Sequence, residues 1–205
     1  MQYVDEAVTR RKFEFELNQF KANQVGYRKR GIFLMDVNFP NIFIGFTAIQ
    51  LAPPPLVFVV RLNFENYDME PISVRFVNPF TFEPLQIFRI PFVRRIPNQV
   101  KPQNLIAQNK GKLPFFCIPG IREYHKHDGH TGDLWFLHRK RGGEGTMGFI
   151  IKKLYDYGIT ALDVYQINAV MDVRKLKMPH RTNNLVLQLE SKNAAIKMNP
   201  EKIRL

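Results

Sequence analysis

The chain of 205 residues contains one cysteine, which excludes an intramolecular disulfide framework and leaves a packed core as the source of stability. It has no apolar run of the ~18 residues that a spanning helix requires, so no membrane span is expected. Its opening, MQYVDEAVTRRKFEF, places Asp5 and Glu6 where a secretory leader would be apolar, so no export signal is expected either. Together these absences lead to the expectation of a reducing, cytoplasmic setting. Internal repeats and low-complexity tracts are missing as well. Acidic side chains are in short supply, with 18 Asp and Glu against 30 Lys and Arg, for a formal charge of +12. The cations are scattered, as in Arg28-Lys29-Arg30, Arg94-Arg95 and Arg139-Lys140-Arg141, without the interleaved aromatics of an RNA-recognition motif. That distribution favours a basic surface facing an acidic protein, with nucleic acid as the alternative partner.

What the chain does have is aromatic mass. Its 18 phenylalanines fall mainly in the first 116 residues and predict a sizeable core there. Residues 3–23 read as a helix, with Phe13, Leu17 and Phe20 on one face and Phe15 off it. Gly26 and Gly31 then bracket a basic turn expected to end it. Four short runs rich in β-branched and aromatic residues follow, at 32–37, 42–51, 56–62 and 72–77, separated by Pro40, Pro53-Pro54-Pro55 and Pro71. With no helical pattern between them they predict an antiparallel meander, one face packed on the first helix. Residues 78–114, with six prolines, predict a long irregular segment. The pair Phe115-Phe116 reads as a short strand. TMGFIIKKLYDY, 146–157, predicts a helix capped by Thr146, closed by Gly158 and facing inward through Phe149, Ile150, Leu154 and Tyr157. Residues 159–172 read equally as strand or helix. The order defines an α+β domain over 1–172, with a basic extension over 173–205.

Residues 117–138, CIPGIREYHKHDGHTGDLWFLH, gather the sole cysteine, the sole tryptophan and four of the five histidines. Zinc takes thiolate, imidazole and carboxylate ligands, so Cys117, Glu123, His125, His127, His130 and His138 are all candidates. An extended backbone would put Glu123, His125 and His127 on one side, and a helical one would align Glu123, His127 and His130. Gly129 and Gly132 favour a loop, where neither spacing rule binds. The expected set is Cys117, Glu123, His125 and His130, with His127 as substitute, holding zinc first and iron second. The alternative is a solvated loop of hydrogen-bonded imidazoles. Asp133 is a candidate for orienting a ligating histidine, and Trp135 for the core. Cys117 also reads as a nucleophile, activated by the imidazoles and Arg122, but one sulfur cannot both ligate and attack. His125-Lys126-His127-Asp128-Gly129-His130 superficially matches the signature of metallo-β-lactamase-fold hydrolases. The aspartate stands one position early and the αββα chain order is absent, so that reading is rejected.

The stretch RLNFENYDMEPISVRF, 61–76, resembles the third strand, Tyr/Pro turn and fourth strand of the ubiquitin-conjugating-enzyme superfamily and its RWD-type relatives. Cys117, Trp135 and the helix from Thr146 stand in that family's order. Asn109 lies eight residues before Cys117, as that family's oxyanion-stabilising asparagine does, but Ala107-Gln108 replace its His-Pro. Residues 115–157, through the block FCIPGIREYHKHDGHTGDLWFLHR, resemble a bacterial family of predicted metal-binding proteins named for cysteine, glutamate and histidine. Members of that family look like components of ubiquitin-like modification gene clusters. The resemblance implies a metal-binding component whose partners are a ubiquitin-like protein and its activating or conjugating enzymes. It leaves two alternatives, a thioester-forming conjugating enzyme using Cys117 and a zinc-stabilised nucleic-acid-binding protein.

Overall fold

Asp5 starts the first helix by accepting hydrogen bonds from the amides of Ala7 (2.7 Å) and Val8 (3.3 Å), which satisfies two donors that have no intrahelical partner. In the computed structural model, which describes residues 2–88, 90, 92–94, 103–108, 111–130, 132–139, 143–160, 162–166 and 195–198, this helix, α1, runs over Glu6–Ala22. Its buried stripe is Phe13, Leu17 and Phe20, as the spacing predicts, and Phe15 is exposed. The expected turn at Gly26 is instead a second short helix, α2 (Gln24–Arg28), which runs through that glycine.

The four proline-separated runs form one antiparallel meander in the order β1-β2-β3-β4: Ile32–Asn38, Asn41–Thr47, Leu56–Asn63 and Ser73–Val77. β2 stops at Thr47, short of the predicted Leu51, because residues 48–55 form the turn into β3. Alternation assigns the faces. Ile42, Ile44, Phe46, Phe58, Val60, Leu62, Val74 and Phe76 enter the main core with the α1 stripe. On the opposite face Phe43, Val59 and Val77 form a small cluster with Phe82. Registry then sets Arg61 between Phe43 and Arg75 on that outer face.

The proline-rich segment after β4 contributes to the core rather than only looping over it. Phe88 stacks on Phe76 with centroids 3.7 Å apart, and Phe92 packs on Phe58 and Phe116. Phe80 stays 90% exposed. Two short pairings follow, β5 (Val93–Arg94) with β6 (Gln103–Asn104) and β7 (Ile106–Ala107) with β8 (Phe115–Phe116). Asn109 and the tail from Arg174 to Ala194 lie outside the described residues.

Two four-residue helices, α3 (Arg122–His125) and α4 (Trp135–His138), with a 3-10 turn at Asp128–His130 between them, fold the segment read as a loop. The last long helix, α5 (Met147–Gly158), is capped by the Thr146 hydroxyl on the Phe149 amide at 3.3 Å. It buries Met147, Ile150, Ile151, Leu154 and Tyr157, while Phe149 is only partly buried. The ambiguous stretch after it resolves as β9 (Leu162–Gln166), paired antiparallel with β10 (Ala195–Met198). No helix among the described residues is long and apolar enough to cross a membrane.

Glu16 ties α1 to α5. Its buried carboxylate accepts from the Tyr67 hydroxyl at 2.9 Å and from the amide of Met147, the first residue of α5, at 3.1 Å. Burial raises its pKa, while these two hydrogen bonds and the positive end of the helix favour the charged form. Replacing Glu16 with alanine strands both donors and should cost about 2–4 kcal/mol in urea denaturation. The same change at Glu14, on the exposed side of α1, should cost under about 0.5 kcal/mol.

Candidate metal centre

The Cys/His block is built onto the open edge of the sheet. Ile121 pairs with Ile72 in a parallel bridge, and the Arg122 amide donates to the Ile72 carbonyl at 3.1 Å. Glu123 then reaches across to β4. Its carboxylate accepts from the Ser73 hydroxyl and from the Val74 amide at 3.0 Å, and it pairs with Arg75 at 3.3 Å. Every one of these partners comes from the strand edge, so Glu123 holds the block in place.

His125 is also engaged elsewhere. Its Nε2 accepts from the Gly120 amide at 3.1 Å, and its Nδ1 donates to the Asp133 carbonyl at 2.7 Å. Both ring nitrogens are used in a neutral tautomer. Burial lowers its pKa, which agrees with that assignment.

The structure instead brings Cys117, His127 and His130 together. One donor atom from each lies within 4.8 Å of the others, and all three residues are half-buried. Cys117 Sγ is 3.2 Å from His130 Nε2. Tetrahedral zinc, with Zn–S near 2.3 Å and Zn–N near 2.0–2.1 Å, requires donors roughly 3.3–3.6 Å apart, so small side-chain rotations bring this set to coordination distance. The cluster can hold a metal ion, and its sulfur-nitrogen chemistry fits zinc or a softer transition metal better than magnesium or calcium. Of the five residues expected at the site, three meet and two, Glu123 and His125, act as scaffold.

Each ligand position has a local cause. Cys117 follows the buried β8 pair, and its amide donates to the Leu105 carbonyl at 2.7 Å, which fixes the backbone. His127 precedes the 3-10 turn and His130 ends it, and the His130 ring stacks on Tyr124 at 3.9 Å. Burial, then neighbouring His127, lowers the His130 pKa and keeps it neutral, the form that ligates. Burial pushes the Cys117 thiol up, against a weaker pull from Arg94, so without a metal the sulfur is a poor thiolate.

Behind the cluster runs a polar chain. Tyr124 donates to Asp133 Oδ2 at 2.6 Å, Asp133 Oδ1 pairs with His138 Nε2, and Glu144 meets His138 Nδ1 at 2.7 Å. Asp133 thus orients the ring stacked on His130 rather than a ligating nitrogen. Burial alone would depress the His138 imidazole, but the two carboxylates outweigh it and raise its pKa. Trp135 belongs to the core, as predicted. Its Nε1 donates to the Asp68 carbonyl at 2.9 Å, and its ring lies against Gly145. A Cβ on Gly145, at φ +77, would fall 2.1 Å from Trp135 Cη2, and one on Gly120, at φ +87, would fall 2.6 Å from the Gly145 amide nitrogen. Both must be glycine for the block to close against α5.

Comparison with known proteins adds a lineage. The model of the Y4jH-like family matches residues 4–109 and 96–162. The uncharacterized protein y4jH of Sinorhizobium fredii is 35% identical over 198 residues, an alignment covering 87% of this chain and 96% of that protein.

Two outcomes are expected from this geometry. Alanine at Cys117, His127 or His130 should each remove metal measured by elemental analysis, whereas Glu123→Gln should retain it while melting at lower temperature. Metal loss in Glu123→Gln matching that of the ligand variants would place the carboxylate on the ion instead. Separately, a raised His138 pKa means the ion pairs stabilise fully below about pH 6.5 and fade as pH climbs through the folded value. Denaturation midpoints of wild type should fall across that window, and His138→Gln should flatten the dependence.

Proposed function

The chain belongs to the Y4jH-like family, and we propose that it is a metal-binding component of a bacterial ubiquitin-like modification system. The observation that carries the metal half is the meeting of Cys117, just after β8, with His127 and His130 at the 3-10 turn. The modification half is supported by two features. One is the resemblance of residues 115–157 to the Cys/Glu/His family. The other is the order of α1, the β1–β4 meander, an irregular segment ending at a cysteine, and α5, which is the order of ubiquitin-conjugating and RWD-like domains. On this reading the domain binds a ubiquitin-like protein or its activating or conjugating enzymes.

Zinc is the ion proposed, held by the Cys117 thiolate and the His127 and His130 imidazoles. A three-ligand zinc site leaves a fourth place for water or a substrate oxygen, where the metal would supply Lewis acidity. This chain's own residues fix the ligands. Tyr124 braces His130, Asp133 braces Tyr124, and the Leu105 carbonyl fixes Cys117.

A second reading has its own observation. The 3.2 Å contact between Cys117 Sγ and His130 Nε2 is also that of a nucleophile beside a base. A thioester with a ubiquitin-like C-terminus would require the sulfur to be free of metal.

The test is elemental analysis of tag-free protein, followed by incubation with a ubiquitin-like protein and its activating enzyme. About one zinc per chain and non-covalent association, retained in Cys117→Ser only where folding is intact, support the proposal. A metal-free, folded protein forming a reducible adduct that Cys117→Ser abolishes would replace it with the conjugating-enzyme reading.

A further inference from the structure

The outer face of the sheet carries an arrangement that the metal centre does not use. A cavity of about 530 Å³ opens beside β3 and β4, with His127 on one wall and Arg61 on its floor. Registry places Arg61 directly opposite Arg75. Like charges at paired positions repel, so two adjacent guanidiniums need a compensating anion.

The carboxylates at the cavity, Glu65 and Glu123 on its lining with Glu70 beside it, are three against the five cations Arg61, Arg75, Lys112, Arg122 and Lys126. Glu123 compensates Arg75 but is already committed to Ser73 and Val74. Arg122 and Lys126 share the single carboxylate of Glu70, at 3.3 and 2.6 Å. That leaves Arg61, whose Nε is buried with no hydrogen-bond partner among the described residues. Lys112, exposed on the rim, has no carboxylate partner among them either. Burial, then neighbouring Arg75, pulls the Arg61 guanidinium below its ordinary pKa, and Glu123 offsets only part of that. A buried unpaired donor on a cation is a costly feature to keep empty.

We infer that this cavity binds the phosphoryl group of a small molecule, gripped by Arg61 and Arg75 with Lys112 closing from the rim. Two guanidinium forks and an ammonium match a dianion with several acceptor oxygens. A monocarboxylate would leave cationic charge uncompensated. The volume exceeds that of bare phosphate and falls within the range of small-molecule sites, so the remainder of the ligand extends along the cavity toward His127. The inference does not rest on the modification proposal, because Arg61 and Lys112 are not among the candidate metal ligands.

The experiment titrates inorganic phosphate into the full-length, tag-free protein at constant ionic strength. Binding is followed by calorimetry and thermal shift, with acetate as comparison and metal content measured on every sample. Saturable binding at one site per chain is expected for phosphate and not for acetate. Arg61→Gln and Lys112→Gln should each weaken it about tenfold or more with metal content unchanged. Arg61→Gln should melt no lower than wild type when phosphate is absent, because it relieves the repulsion with Arg75. Lys112 is exposed, so its variant folds and tests the pocket on its own. Lys152→Gln, at an exposed pair on α5, should bind as wild type does. Absence of saturable phosphate binding, an equal response to acetate, or wild-type affinity in both pocket variants would overturn the inference. Loss of phosphate binding only when metal is lost would assign the anion to the metal instead.

Discussion

The strand edge of β4 governs most of this molecule. A four-stranded meander leaves two edges with unpaired backbone groups, and an uncovered edge invites pairing with other chains. Here β4 is covered at both ends. The Leu85 amide donates to the Phe76 carbonyl at one end, and the Ile72–Ile121 bridge with the Glu123 carboxylate covers the other. The second cover is the Cys/His block, so the site exists where it does because the sheet has an edge to satisfy. A carboxylate is well suited to that task, since it accepts several donors at once and the Val74 amide has no strand to meet.

The block is closed from its far side by a different set of forces. Asp68, on the turn between β3 and β4, pairs with Lys12 of α1 and with Arg139 after α4, at 2.8 Å for the latter, and its carbonyl receives the Trp135 indole. Burial would lift the Asp68 carboxyl, but the two cations outweigh it and hold it below the usual range. One short turn therefore couples the first helix, the sheet and the block. The cluster that can hold a metal, Cys117, His127 and His130, is built from other residues than these two clasps.

Much of the frame is legible in the sequence. The α1 stripe, the four strands and α5 each carry a periodicity or a cap long enough to read. The block is harder because α3 and α4 are four residues each, too short for either period to register. The resulting ambiguity falls on the candidate ligands. Spacing alone offered Glu123, His125 and His127 on one side or Glu123, His127 and His130 on another, and both options include a glutamate whose true partners, Ser73 and Val74, are fifty residues away. His125 is removed by backbone partners at Gly120 and Asp133 that no side-chain spacing reveals. Cys117 and His130, two of the three residues that meet, are legible as candidates from residue type alone. The Arg61–Arg75 pair was invisible for a related reason, since it appears only once strand registry is known.

The contact between Trp135 and Gly145 constrains more than the present fold. With the indole in place, any side chain at position 145 collides with it, and with the indole gone, the glycine borders a void. The two positions are therefore epistatic. Sequence drift can pass through them in one order only: the ring must shrink before a side chain arrives. Because position 145 sits at φ +77, asparagine is the newcomer that the backbone accepts most readily.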